Sequence, residues 1–150
     1  MPQSHARILV HLVFSTKERA DFLDDEIQAE IFSYLTGILR GEKHTPISVG
    51  EYTDHVHLLF GLARTQSISQ IVEKLKGSSS VWIKTKGEKY RAFYSQNGYG
   101  AFGISPKEVD AVDRYIRNQK EHHDKESFQD EYRRICKEFE VEIDERYVWD

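Results

Sequence analysis

The stretch Asp54-His55-Val56-His57-Leu58-Leu59-Phe60 decides how this chain folds. Successive side chains of a β-strand point to opposite faces, so Val56, Leu58 and Phe60 predict a buried face while His55 and His57 share the other. Two imidazoles side by side are half of a metal site. One or two further oxygen or nitrogen ligands would hold a divalent cation, whose open positions could polarise a phosphate. Taken alone, the pair fits a polar strand face equally well. Any third ligand and any nucleophile must come from elsewhere in the chain.

Working outward, Ile47 to Tyr52 lies close enough to His55–Leu62 for the two to pair as a hairpin. Ile8 to Ser15 is an earlier strand, with His11 inside a mostly apolar run. Between them a helix is predicted from Asp24 or Asp25 to about Gly41, with Ile27, Ile31, Leu35 and Leu39 on one side, an acidic start and a glycine end. Ser67 fits the N-cap of a second helix carrying Ile68, Ile71, Val72, Leu75, Val81, Trp82 and Ile83, locally weakened by Gly77-Ser78-Ser79-Ser80. Tyr99 to Ser105 is a fourth strand, and Pro106 suits the first turn of a third helix running to about His122. This order, strand-helix-strand-strand-helix-strand, predicts an α+β fold with a ferredoxin-like split βαβ antiparallel sheet. Helices are expected on one face, leaving His55 and His57 on an open face to which a ligand or another chain must come.

Composition sets outer bounds. With 150 residues, 39% of them hydrophobic, the chain suits one domain over residues 1–150. It contains no run of about 18 apolar residues, and Met1-Pro2-Gln3-Ser4-His5 lacks the basic-then-apolar order of a signal peptide, so a soluble, cytoplasmic protein without a membrane partner is expected. The lone Cys136 fits a reducing compartment and, among Arg134, Ile135 and Phe139 in a helical pattern, a buried structural role. The net charge of -4 is uneven: Arg64 to Arg91 carries +5 and Lys120 to Asp150 carries -5. A phosphate backbone responds to charge within a Debye length of about 8 Å, so Lys74, Lys76, Lys84, Lys86 and Arg91 are candidate contacts despite the overall sign. An ordinary solvated helix face is the alternative.

The third helix supplies the missing chemistry. Tyr115 and Gln119 are four residues apart and fall on one helical face. Gln119 could add an amide oxygen to a cation already held by two histidines, with Tyr115 over a phosphate on that cation. A phenol with a pKa of about 10 is only about 0.1% ionised at neutral pH, a deficit of roughly 4 kcal/mol that a metal, a positive field or a base must supply. Tyr115 beside Val112 and Ile116 could equally be an amphipathic core residue.

His11-Leu12-Val13-Phe14-Ser15-Thr16-Lys17, Asp54 to Phe60, Gln96-Asn97-Gly98-Tyr99-Gly100-Ala101-Phe102 and Tyr115-Ile116-Arg117-Asn118-Gln119-Lys120-Glu121-His122-His123 together resemble the HUH single-strand tyrosine transposases of the insertion-sequence-200/605 type. The likeness extends along nearly the whole chain. It implies an enzyme in which Tyr115 attacks a phosphodiester in single-stranded DNA, keeps a 5′-phosphotyrosine link and releases a 3′-hydroxyl, with a later reversal joining a different end. It also implies Mg²⁺ or Mn²⁺ on His55, His57 and Gln119, imidazole suiting manganese better. His11 and His122 would be outer neighbours of the site. By the same resemblance the partners are DNA hairpins near element ends and a second subunit, with the helix of Tyr115 and Gln119 docking on the partner's histidine pair. Trp82, Tyr90, Phe93 and Tyr94, interleaved with the lysines, could stack unpaired bases. Two other classes fit parts of the pattern: a non-enzymatic nucleic-acid-binding module, and a metal-dependent phosphoesterase that uses water.

Overall fold

The computed structural model describes residues 3–123 and 125–150. Four antiparallel strands, β1 (Leu9–Ser15), β2 (Thr45–Glu51), β3 (His55–Gly61) and β4 (Gly100–Ile104), lie in the order β2-β3-β1-β4. That is the split βαβ arrangement expected from the order of elements. Helix α1 (Asp25–Gly41) starts at Asp24, whose carboxylate accepts from the Ile27 N–H, and α2 (Ile68–Lys84) starts at Ser67 with a reciprocal capping box to Gln70. Both caps satisfy amide donors that have no partner inside the helix. Val10, Leu12 and Phe14 of β1 meet Val56, Leu58 and Phe60 of β3 on the face covered by α1 and α2, where Ile27, Ile31, Leu35, Ile71, Val72 and Leu75 complete the main core.

The other face is not open. Helices α3 (Val109–Arg117), α4 (Gln119–His123) and α5 (Phe128–Glu138) close over it, and His55 and His57 are left 1% and 0% exposed. The expected single third helix is thus two helices parted at Asn118, after a 3-10 turn at Pro106–Glu108. Two satellite clusters hold this layer down. Leu9, Leu59, Ile104 and Ile116 pack under α3, and Val13, Phe102, Phe128, Tyr132, Ile135 and Cys136 under α5. The reading of Cys136 as a buried thiol stands. Among the described residues no helix is long and apolar enough to cross a membrane.

Close approach of α3 to β2 depends on one glycine. A Cβ at Gly50, the register partner of His57, would stand 2.1 Å from the carbonyl oxygen of Ile116 and 2.7 Å from its Cγ2. Gly50→Ala is therefore expected to push the Tyr115 helix off the sheet and to cost at least about 1–3 kcal/mol, the usual range for overpacking. Urea unfolding measures it, and a midpoint equal to that of the parent would contradict the close approach.

Candidate active site

Strand alternation puts His11, His55 and His57 on one face, and the three helices bring their partners to it. The Nε2 atom of His55 lies 3.0 Å from the Oε1 of Gln119, and that of His57 lies 3.0 Å from the Oε1 of Glu131. The same Glu131 oxygen is 3.4 Å from the Nε2 of His55 and accepts from the Nε2 of His123 at 3.1 Å. Its other oxygen accepts a hydrogen bond from the Tyr115 hydroxyl. Gln119, four residues after Tyr115, also donates to the Tyr115 carbonyl at 3.3 Å across the helix break. One carboxylate therefore links the histidine pair to the tyrosine.

The outer nitrogens of the pair are occupied too. His55 Nδ1 meets the Asp54 carboxylate at 2.7 Å, and His57 Nδ1 meets His11 Nε2 at 2.8 Å. Partners of this kind fix ring orientation and tautomer, as they do behind metal-bound histidines. Burial lowers the pKa of His57 against the pull of Glu131. His11, which shares a hydrogen bond with His57 Nδ1, has its own pKa lowered to about 3 by burial and the neighbouring His57.

Burial works to raise the pKa of Glu131, but His57, His123 and His55 together hold it far below the usual carboxylate range. His123 moves upward because the carboxylate outweighs the opposing effect of burial. Burial and the negative charge of Glu131 push the Tyr115 phenol above its ordinary value, and Arg134 offsets part of that rise. The Arg134 guanidinium donates to the phenol oxygen at 2.8 Å and to Glu126 at 3.0 Å. His122 pairs with Glu126 at 2.7 Å, its ring 5.2 Å from that of Tyr115.

Half-buried Tyr115 borders two openings. One is a cavity of about 260 Å³ whose walls include His11, Ile104, Val112, Arg134 and Ile135. The other, about 310 Å³, is lined by Asn118, Glu121, His122 and Lys125.

The structure thus gathers Tyr115, His55, His57 and Gln119 in one place, with His11 and His122 alongside. The basic residues lie elsewhere, on and beyond α2 across the sheet. Lys76 is turned inward, its ammonium donating to the Gln96 and Gly98 carbonyls at 2.7 and 2.6 Å, and burial lowers its pKa to about 8. Lys74 pairs with Glu42, Lys86 with Glu30 and Arg91 with Glu88, while Lys84 lies over the Tyr94 ring.

Sequence reasoning missed Glu131, His123, Asp54 and Arg134 as parts of the site. A signal for Glu131 existed: Phe128, Tyr132, Ile135 and Cys136 trace the buried stripe of α5, and Glu131 falls within it. A carboxylate in an apolar stripe needs a partner.

The donor set suits a divalent cation. Ligand atoms of His55, His57, His123 and Glu131 all lie within 4.8 Å of one another, and imidazole with carboxylate matches the preferences of first-row metals.

Comparison with known proteins bears on the family and the fold. The family described as transposase IS200 like matches residues 4–119. A candidate transposase from Deinococcus radiodurans R1 superposes with a TM-score of 0.62 at 24% identity, covering 79% of this chain and 98% of that one. A REP-associated tyrosine transposase bound to a REP hairpin superposes with a TM-score of 0.59 at 12% identity, covering 82% of this chain and 73% of that one. No curated protein matches in sequence. The two structures speak for the fold, and the family match runs through all four strands to Gln119: the chain belongs to the IS200-like transposase family.

Proposed function

We propose that this transposase cleaves and rejoins single-stranded DNA at insertion-sequence ends through a 5′-phosphotyrosine on Tyr115, with Mg²⁺ or Mn²⁺ at the histidine cluster. The observation that carries this reading is the Tyr115 hydroxyl bound to the same carboxylate that joins His55, His57 and His123. In cleavage the phenol oxygen bonds to phosphorus as the bond from phosphorus to the 3′-oxygen breaks, and that oxygen leaves as a hydroxyl once protonated. Rejoining reverses this with another 3′-hydroxyl, and one phosphoester replaces another throughout. Glu131 Oε2 orients the phenol by accepting its hydrogen bond, Arg134 favours the phenolate and can meet a phosphate oxygen, and the proton the phenol loses balances the one the 3′-oxygen gains. His55, His57 and Gln119 would hold the ion, which supplies a Lewis acid for the phosphate and the leaving oxygen. Asp54 and His11 orient the two imidazoles.

DNA hairpins are the proposed ligands, supported by the hairpin bound to the REP-associated relative. Lys74, Lys84, Lys86 and Arg91 are the proposed phosphate contacts, and Lys76 is set aside because its ammonium is committed to two backbone carbonyls. The resemblance also implies a homodimer with exchanged tyrosine helices. Within a single chain α3 and α4 lie over that chain's own histidines, and an exchanged helix would make the same contacts on a partner, so mixing complementary variants is what distinguishes the two arrangements.

The test is a denaturing gel of the protein with labelled single-stranded DNA from its own flanking locus, with and without Mn²⁺. A protein-linked band that needs the ion and disappears with chelator is expected. Cleavage without such a band would favour a water-using phosphoesterase, and binding without cleavage a non-enzymatic module.

A further inference from the structure

We propose that Glu131 is itself a ligand of the divalent ion, so that the site is anionic rather than built from neutral imidazoles and an amide. The inference rests on the metal site of the preceding section and adds a residue from α5, beyond the stretch that matches the family. Four observations carry it. Oε1 of Glu131 is 3.0, 3.4 and 3.1 Å from the Nε2 atoms of His57, His55 and His123, the point on which those rings converge. The carboxylate is wholly buried, as are His55 and His57, so it has no solvent to stabilise its charge. The outer nitrogens of His55 and His57 are already engaged by Asp54 and His11, which leaves the Nε2 atoms as the inward-facing donors. Finally, Oε1 and Oε2 are divided between the rings and Tyr115, so a cation on Oε1 leaves the contact to the nucleophile in place.

Two imidazoles and a carboxylate form a recurrent ligand set for first-row divalent metals. α5 is aligned for it by Ser127, whose hydroxyl accepts from the Asp130 N–H at 3.2 Å, and by the Phe128 ring, packed 4.7 Å from that of His55.

The experiment is Mn²⁺ binding to the full chain by calorimetry, with the free-ion electron paramagnetic resonance signal as a second readout, for the parent, Glu131→Gln, Glu131→Asp and Gln119→Ala. Glu131→Gln keeps shape and hydrogen bonding but removes the charge. It is expected to weaken Mn²⁺ binding at least about tenfold, and more than Gln119→Ala does. Glu131→Asp, which retains the charge on a shorter stem, should fall between parent and Gln, and it serves as the test if the Gln variant does not fold. Equal or tighter binding by a folded Glu131→Gln protein would overturn the assignment, making the carboxylate a stand-in for the cation that the ion displaces. That outcome leaves the covalent-adduct test untouched. Absence of Mn²⁺ binding by the parent would overturn both this assignment and the metal part of the proposed function.

Discussion

Tyr115→Phe is expected to abolish DNA cleavage and the covalent adduct, a loss of at least about 10³-fold, while leaving DNA binding nearly unchanged. Only the phenol oxygen is removed, and the ring keeps its place between His11, His57 and His122. Parallel gels answer the two halves: denaturing for the adduct, native for the complex. Adduct formation by the variant would move the nucleophile to another tyrosine. Tyr52 would be the first to consider, since its ring lies 6.1 Å from that of His55.

His57→Ala should lose divalent-ion binding and cleavage together. The side chain is wholly buried against Glu131, and its removal deprives an ionised carboxylate of its shortest imidazole contact, so stability is expected to fall by on the order of 3 kcal/mol as well. Calorimetry on protein confirmed as folded separates the two effects, and parent-like Mn²⁺ affinity would defeat the ligand role. Mixing this variant with Tyr115→Phe under subunit exchange adds a second readout. Self-contained sites leave every subunit defective and the mixture inactive, whereas an exchanged tyrosine helix would give each mixed dimer one intact site.

The first layer of this fold was legible because strand and helix periods are unambiguous in it. Val56, Leu58 and Phe60 alternate cleanly with two histidines, and the Asp24 and Ser67 caps stand immediately before apolar stripes of period 3.6. The second layer was less so, because the centre of its interface, between two apolar clusters, is polar. His55, His57, Gln119 and Glu131 satisfy one another there, and a polar face whose partners are distant in sequence looks the same as a face in water. Tyr115 and Gln119 could be paired from their spacing alone. Glu131 could not be joined to His57, which lies 74 residues away, and Arg134 in an acidic tail carried no mark of its contact with Tyr115.

The closure of α3, α4 and α5 over the histidines bears on the fate of the proposed covalent intermediate. A phosphotyrosine faces two competitors, a DNA 3′-hydroxyl and solvent, and the second is present at enormous excess. Burial that leaves His55, His57, Gln119 and Glu131 at 1% exposure or less keeps bulk solvent from the histidine side of a bound phosphate, so approach is confined to the openings beside Tyr115, where a docked DNA strand would stand in the way of water. Under the proposed phosphotyrosine mechanism, that restriction separates strand exchange from irreversible strand breakage.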